Sequence, residues 1–290
     1  MIESAKRVKA ASDAIPLSKM TKQNDFRSKY GPWAVVAGAS EGIGAAFATQ
    51  LAARGLNLVL VARRGEMLAE LGAKLTARYG VETRSLAVDL AYAGGPAVIA
   101  EQTADLEIGL LVFNAAFSVV GPFFEQPLED HYREVDLNCR APMVMAYLFG
   151  KQMLARGRGG ILLMSSLSAF QGTPLVSNYA ATKAYSLLLA EGLWDELRAR
   201  GIDALACCAG ATETPAFLAT KPGSPRFISA PVMKPDQVAS EALAALGRNP
   251  SLITGWQNRL SSFLIRRAMP RRIAIRLMGQ TMREMYPRPE

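Results

Sequence analysis

Between Trp33 and Gly210 the chain switches repeatedly between two hydrophobic periods, and that switching limits the folds open to it more than any other feature. Short runs that are apolar on consecutive residues, "WAVVA", "LNLVLVA", "TRSLAVDL", "GLLVFNA", "GGILLMSS" and "IDALACCAG", are separated by longer stretches of helical periodicity. The helical stretches run through "AAFATQLAARG", "EMLAELGAKLTARYG", residues 127–157 and residues 178–200, with glycines at the ends of several, Gly55, Gly80 and Gly201. A strand that is apolar on both faces must be covered on both, so the alternation predicts an α/β fold, a Rossmann-type doubly wound parallel sheet with helices on either side. Such sheets bind ligands beyond the carboxyl ends of their strands, which makes the residues after each apolar run the candidates for chemistry.

The 290 residues, half of them apolar, suffice for one large domain. We read 1–30 as a basic, partly disordered extension, 31–255 as the Rossmann body, and 256–290 as a basic helical extension. Within the body, the proline-rich 215–235 reads as an irregular lid. The formal charge of +8 sits at the ends: seven Lys/Arg against three acids in 1–30, eight Arg against two acids in 256–290, and 18 against 20 between them. The body is therefore not expected to bind nucleic acid, and no zinc-finger spacing is present. The one histidine, His131, cannot by itself build a histidine metal site or a Ser-His-Asp triad. Cys139, Cys207 and Cys208 lack metal-ligand spacing, and the adjacent pair faces opposite sides of a strand, so all three read as reduced core residues. No metal is expected. No apolar run reaches the roughly 18 residues of a spanning helix, and the first residues lack the apolar stretch of a secretory signal; the expected location is cytoplasmic.

"VVAGASEGIG" places Gly38, Gly42 and Gly44 after the first strand and at the opening of the first helix. A tight turn, a close backbone approach and a free helix N-terminus coincide there, as a phosphate requires. A strand-to-helix turn that needs glycine only for positive φ gives the same pattern, and the spacing departs from G-x-G-x-x-G. In "NYAATKAY", Tyr179 and Lys183 stand four apart near the start of a helix for which Ser177 is the expected cap, so both leave one face. A nearby cation and a helix N-terminus favour the phenolate of a tyrosine whose ordinary pKa is about 10. "LLMSSLSAF" ends a strand with Ser165 and Ser166 at the ligand-binding edge.

The glycine loop, Asn114–Ala115 after the fourth strand, the serine after the fifth and Tyr-x-x-x-Lys, in this order and spacing, resemble the short-chain dehydrogenase/reductase family from about Trp33 to Thr214. The resemblance implies hydride exchange between a nicotinamide and a carbonyl carbon. It implies catalytic roles for Ser166, Tyr179 as general acid–base, Lys183 as the residue that lowers its pKa and holds the nicotinamide ribose, and Asn138 as the holder of a relay water. It also implies cofactor contacts from Gly38, Ser40, Gly42, Ile43, Gly44, Asn114, Ala115, Tyr179, Lys183, Gly210, Thr212 and Thr214. Ala37, Ala116 and Ala209 depart from the usual threonine, glycine and proline, without removing a catalytic group.

Arg63 and Arg64 follow the second strand where an acid would bind a free ribose 2′-OH, which favours NADP(H), with Arg63 on the 2′-phosphate. Glu41 in the glycine loop works against a second anion. Asp89, read as ending the third strand, resembles the family's acid at the adenine amino group. Phe217, Leu218, Phe227, Ile228, Val232 and Met233 in the lid argue for an apolar substrate, fatty-acyl or steroid-like, or else pack the core. The whole is most like the 3-ketoacyl or 17β-hydroxysteroid type members. A non-catalytic nucleotide-binding regulator on the same fold is the alternative. The stretches 127–157 and 178–200 suggest a homodimer or homotetramer. At the C-terminus Leu260, Phe263 and Leu264 recur at helical spacing, Pro270 interrupts, and Arg266, Arg267, Arg271, Arg272 and Arg276 flank. These segments either pack over the lid or make weak, salt-sensitive contact with anionic lipid or acidic acyl carriers.

Overall fold

The computed structural model describes residues 25–223 and 232–287. Its elements in chain order are β1 (Trp33–Ala37), α1 (Gly42–Ala52), β2 (Asn57–Ala62), α2 (Gly65–Tyr79), β3 (Thr83–Ala87), α3 (Gly95–Gln102), β4 (Ile108–Phe113), α4 (Leu128–Val135) and α5 (Ala141–Arg156). There follow β5 (Gly159–Ser166), α6 (Ser177–Arg198), β6 (Ile202–Ala209), α7 (Pro215–Ala219), α8 (Pro235–Ala245), β7 (Ser251–Ile253), α9 (Trp256–Ala268) and α10 (Arg271–Met285). The seven strands form one parallel sheet in the order β3-β2-β1-β4-β5-β6-β7, the Rossmann-type arrangement that the alternation predicts.

Every residue of β4 and β6 is buried, which is why these strands read as unbroken apolar runs. Successive side chains feed two cores. Val36, Leu58 and Leu60 join Phe47 on one face, while Val35, Val59 and Val61 join Met145 and Phe149 on the other. Cys207 and Cys208 fall in opposite cores and are free thiols, as is the half-buried Cys139. Gly80 closes α2 in the left-handed conformation, φ 68°, with its N–H on the Thr76 carbonyl at 2.9 Å.

The strand order reverses between β1 and β4, so the loops that leave these strands lie side by side and open a crevice. Four details differ from the sequence reading. β7, three residues long and paired only to β6, is too short to leave a periodic signal. Asp89 lies two residues beyond the end of β3, in the loop. Ser177 is the first residue of α6 and not its cap: its Oγ donates to the Thr173 carbonyl (3.4 Å), and Val176 precedes the helix. The described part of the lid contains α7, started by Pro215 and capped by Thr214 Oγ1, which accepts the Phe217 N–H at 3.2 Å. The extension over 1–24, Phe227 and Ile228 lie outside the described residues. Among the described residues no helix is long and apolar enough to cross a membrane.

Candidate active site

The three glycines hold three strand ends together. A Cβ on Gly38 (φ 80°) would lie 2.7 Å from the Ala115 nitrogen, and one on Gly44 would lie 1.9 Å from the Gly38 oxygen. One on Gly42 would meet Thr214 Cγ2 at 2.9 Å. The loops after β1, β4 and β6 thus touch, and Asn114 Nδ2 donates to the Gly38 carbonyl at 3.1 Å. Beyond β6, Thr212 Oγ1 donates to the Gly210 carbonyl at 3.0 Å. Helix α1 starts at Gly42 behind Glu41, whose side chain makes no cap, so its first N–H groups are left for an anion. Ser40 and Ile43 belong to this same turn. The donor set fits a dinucleotide pyrophosphate.

Arg64, not Arg63, touches the glycine loop: its Nη2 donates to Ser40 Oγ at 3.0 Å and pairs with Glu41 at 2.9 Å. The negative charge of Glu41 is therefore neutralised locally. Arg63 is exposed and within electrostatic reach of Asp89. Asp89 accepts from the Ala91 N–H (3.0 Å) and Arg133 Nη2 (2.9 Å). Burial raises its carboxyl, but these donors and Arg63 outweigh it and hold it below the usual range.

Ser166 ends β5 and Tyr179 stands in the first turn of α6; Ser166 Oγ accepts from the Ser168 N–H at 3.2 Å. Burial pushes the phenol up to about 12; the nearby Ser166 hydroxyl opposes that, and the Glu134 carboxylate adds to it. Lys183 is buried, its Nζ donates to the Met164 carbonyl at 3.0 Å, and it lies 5.5 Å from the centre of the Tyr179 ring. Burial draws the ammonium down to about 8. In this geometry the lysine does not dominate the tyrosine's ionisation; desolvation does. Ser165 Oγ donates to the Lys183 carbonyl at 2.7 Å and ties α6 to β5, leaving Ser166 as the serine that faces Tyr179.

Asn138 is buried in a π-helical turn, Asp136–Arg140, that joins α4 to α5. Its side chain makes a two-way clasp with the Phe117 backbone (Oδ1 from N–H 3.0 Å, Nδ2 to O 2.8 Å) and also donates to Thr182 Oγ1 at 3.1 Å. Its carbonyl accepts from Ser186 Oγ at 3.3 Å. Ser166, Tyr179, Lys183 and Asn138 are thus gathered beside the glycine crevice from three separate segments.

Residues 32–223 match the short chain dehydrogenase family. The chain belongs to that family. As a short-chain dehydrogenase it is an NAD(P)-dependent oxidoreductase acting on CH–OH and its ketone. It is 33% identical over 235 residues to a 7beta-hydroxysteroid dehydrogenase of Clostridium sardiniense, covering 81% of this chain and 90% of that one. A solved structure from a study of 7beta-hydroxysteroid dehydrogenase stereoselectivity matches it with a TM-score of 0.81 at 28% identity, over 87% of this chain and 98% of the other. A short-chain dehydrogenase from Sphingobium yanoikuyae, solved in complex with NADPH, matches with a TM-score of 0.70 at 30% identity, over 80% of this chain and 92% of that one.

In this dehydrogenase the C-terminal helices reach the mouth of the site. Arg266 lies 4.4 Å over the Phe170 ring, and a Cβ on Gly279 would lie 3.1 Å from Pro174, in the segment between β5 and α6. The Gly223 N–H donates to the Met285 carbonyl (2.8 Å), and Thr220 and Tyr286 hydroxyls are 3.2 Å apart, so α10 also borders the lid. Nothing in the sequence singled out Glu134. A glutamate in the acid-rich stretch "LEDHYREV" looks solvated, yet its side chain is 1% exposed beside Tyr179.

Proposed function

We propose that this dehydrogenase is NADP(H)-dependent and interconverts a ketone and a secondary alcohol on an apolar, steroid-like or fatty-acyl substrate, with Tyr179 as its general acid–base. The observation that carries the reading is Lys183 buried 5.5 Å from the centre of the Tyr179 ring, with Ser166 at the adjoining end of β5, at the edge of a glycine-lined crevice. Bound nicotinamide supplies or accepts the hydride. Ser166 Oγ orients the substrate oxygen, and Tyr179 Oη gives that oxygen its proton during reduction and takes it back during oxidation. Lys183, charged at neutral pH, stabilises the phenolate that forms and holds the ribose. Asn138 keeps the loop after β4 against α6 and offers its carbonyl to a relay water.

For the cofactor, Gly38, Gly42 and Gly44 with Ser40 and Ile43 take the pyrophosphate, Arg63 takes the 2′-phosphate, and Asp89 meets the adenine. Asn114, Ala115, Gly210, Thr212 and Thr214 line the remainder. The pairing of Arg64 with Glu41 supports this reading, because it removes the charge that would repel a 2′-phosphate. Leu218 and Val232, about half exposed on the lid, support an apolar substrate.

Tyr132, Met143 and Tyr147 on α4 and α5, with Leu188 on α6, are exposed apolar side chains that suit pairing into a homodimer or homotetramer; light scattering at micromolar concentration tests this. The protein works in the cytoplasm and touches anionic lipid through α9. That helix turns Asn258 and Ser262 inward and exposes Trp256, Leu260, Phe263 and Leu264, and no acid occurs between Glu241 and Glu284.

The deciding experiment is NADPH and NADH oxidation over a panel of ketosteroids and 3-ketoacyl thioesters. Turnover of an apolar ketone with NADPH preferred is the expected result. Tight NADPH binding with no turnover across the panel would mark a nucleotide-binding regulator instead.

A further inference from the structure

Glu134 is a buried carboxylate that the reaction above does not use. Each of its oxygens meets a donor: Oε1 accepts from the Val119 N–H at 2.9 Å and Oε2 from Asn178 Nδ2 at 2.6 Å. Neither donor can become an acceptor. A backbone N–H has no other role, and Asn178 Nδ2 also donates to the His131 carbonyl at 3.2 Å, so a flipped amide would set oxygen against oxygen. The O–H of a protonated Glu134 would find no acceptor in either of these donors. These two bonds therefore favour the carboxylate, against the burial that disfavours it.

Asn178 immediately precedes Tyr179, and Glu134, His131 and Tyr179 line one small cleft with Val119, Phe123 and Leu175. The titratable groups around Glu134 are His131 and Asp130 from α4 and Tyr179 from α6. The loop after β4 presents backbone, apolar groups and the Gln126 amide to this cleft. His131 Nε2 meets the Phe123 carbonyl at 3.0 Å, while its buried Nδ1 stands 3.9 Å from Glu134 Oε2 without a hydrogen bond. On α6, the Lys183 ammonium lies 5.5 Å from the centre of the Tyr179 ring and gives its hydrogen bond to the Met164 carbonyl.

We propose that Glu134 is a positioning residue whose charge keeps Tyr179 in its phenol form, so that it sets the upper pH limit of ketone reduction and the lower pH limit of alcohol oxidation. The inference rests on Tyr179 being the acid–base group. In a low-dielectric cleft one anion raises the free energy of a second beside it, so the phenolate forms less readily. Burial, opposed by the Ser166 hydroxyl, is reinforced by Glu134 in pushing Tyr179 up. Burial also lifts Glu134 itself above the usual carboxylate range, against its bonds to Val119 and Asn178, but it remains ionised where a tyrosine titrates. Reduction needs the proton on Tyr179 Oη; oxidation needs it gone. One charge therefore moves both limits together.

The test is the pH dependence of ketone reduction and alcohol oxidation in Glu134→Gln, Glu134→Asp and His131→Lys. In Glu134→Gln both limits should move down by about half a pH unit or more, a roughly threefold change in rate at fixed pH on either limb. Glu134→Asp, which keeps the charge, should keep the parental limits. His131→Lys leaves the carboxylate in place and sets a fixed cation beside it, so it should also move both limits down and serves if Glu134→Gln does not fold. In the cofactor-free protein, the tyrosinate absorbance that Tyr179→Phe removes should appear at lower pH in Glu134→Gln and His131→Lys. Unmoved limits in both variants, with turnover lowered evenly at all pH values, would overturn the proposal and leave Glu134 a structural brace. Full activity in Tyr179→Phe would instead overturn the acid–base assignment.

Discussion

The Lys183 ammonium lies 5.5 Å from the centre of the Tyr179 ring and gives its hydrogen bond to the Met164 carbonyl. Two ionisable groups therefore lie close together, and burial shifts each toward its uncharged form.

That shift has a consequence for stability. Lys183 falls from 10.5 to about 8 in the folded chain, so between those values the unfolded chain holds a proton that the folded one has released. Stability then rises with pH through that window, until Tyr179, held above its ordinary value, opposes the rise past about pH 10. Lys183→Met should remove a rise of about 1–2 kcal/mol between pH 8 and 10. Urea unfolding of the cofactor-free protein measures it. A slope left intact by the substitution would show that the lysine does not titrate as a buried group.

Tyr179→Phe deletes one hydroxyl and little volume, so the fold should hold. Ketone reduction should fall by about 10²-fold or more while NADPH affinity stays at the parental value. Stopped-flow turnover beside a fluorescence titration separates the two. A rate within a few-fold of the parent sinks the assignment.

Arg63→Ala should weaken NADPH by about 1.5–3 kcal/mol and leave NADH nearly unaffected, the scale of a lost charge-assisted bond to phosphate. Arg64→Ala frees Glu41 beside the glycine loop and should weaken both cofactors, NADPH more. Calorimetric titration of each nucleotide decides. Equal losses of NADPH and NADH in Arg63→Ala would mean that this arginine does not meet the 2′-phosphate.

On the outward face of α9, Leu260→Glu with Phe263→Glu should abolish co-sedimentation with anionic vesicles at low salt. Arg271→Gln with Arg272→Gln should weaken it by about 2 kcal/mol, near 1 kcal/mol per basic residue. High salt should release the parent chain, and neutral vesicles should not retain it. If the parent binds neither vesicle at low salt, the exposed face belongs to some other contact, such as a second copy of the chain.

What the sequence made legible was local. The strands of the inner sheet announce themselves because both faces are buried, and Gly38, Gly42, Tyr179 and Lys183 declare themselves by spacing within one turn or one helix. What it hid depends on distant partners. Glu134 is buried by Val119 and Asn178, 15 and 44 residues away. Arg64 rather than Arg63 reaches the glycine loop because Ser40, 24 residues earlier, is folded beneath it. The amphipathic pattern of α9 was plain, but periodicity does not say which face points inward, and here the polar one does.

The turn at Asp136–Arg140 gives chain length a meaning of its own. The Ala141 N–H reaches back to the Asp136 carbonyl, five residues instead of four, so this stretch carries one residue more than a plain helix would. Deleting Cys139 or Arg140 would restore regular winding and rotate Asn138 by about 100° relative to α5, away from Phe117 and Thr182. The chain would gain a better helix and lose the clasp. A comparison of related chains that scores residue types and forgives single gaps would pass over such a deletion, although it would dismantle the contact between the loop after β4 and α6.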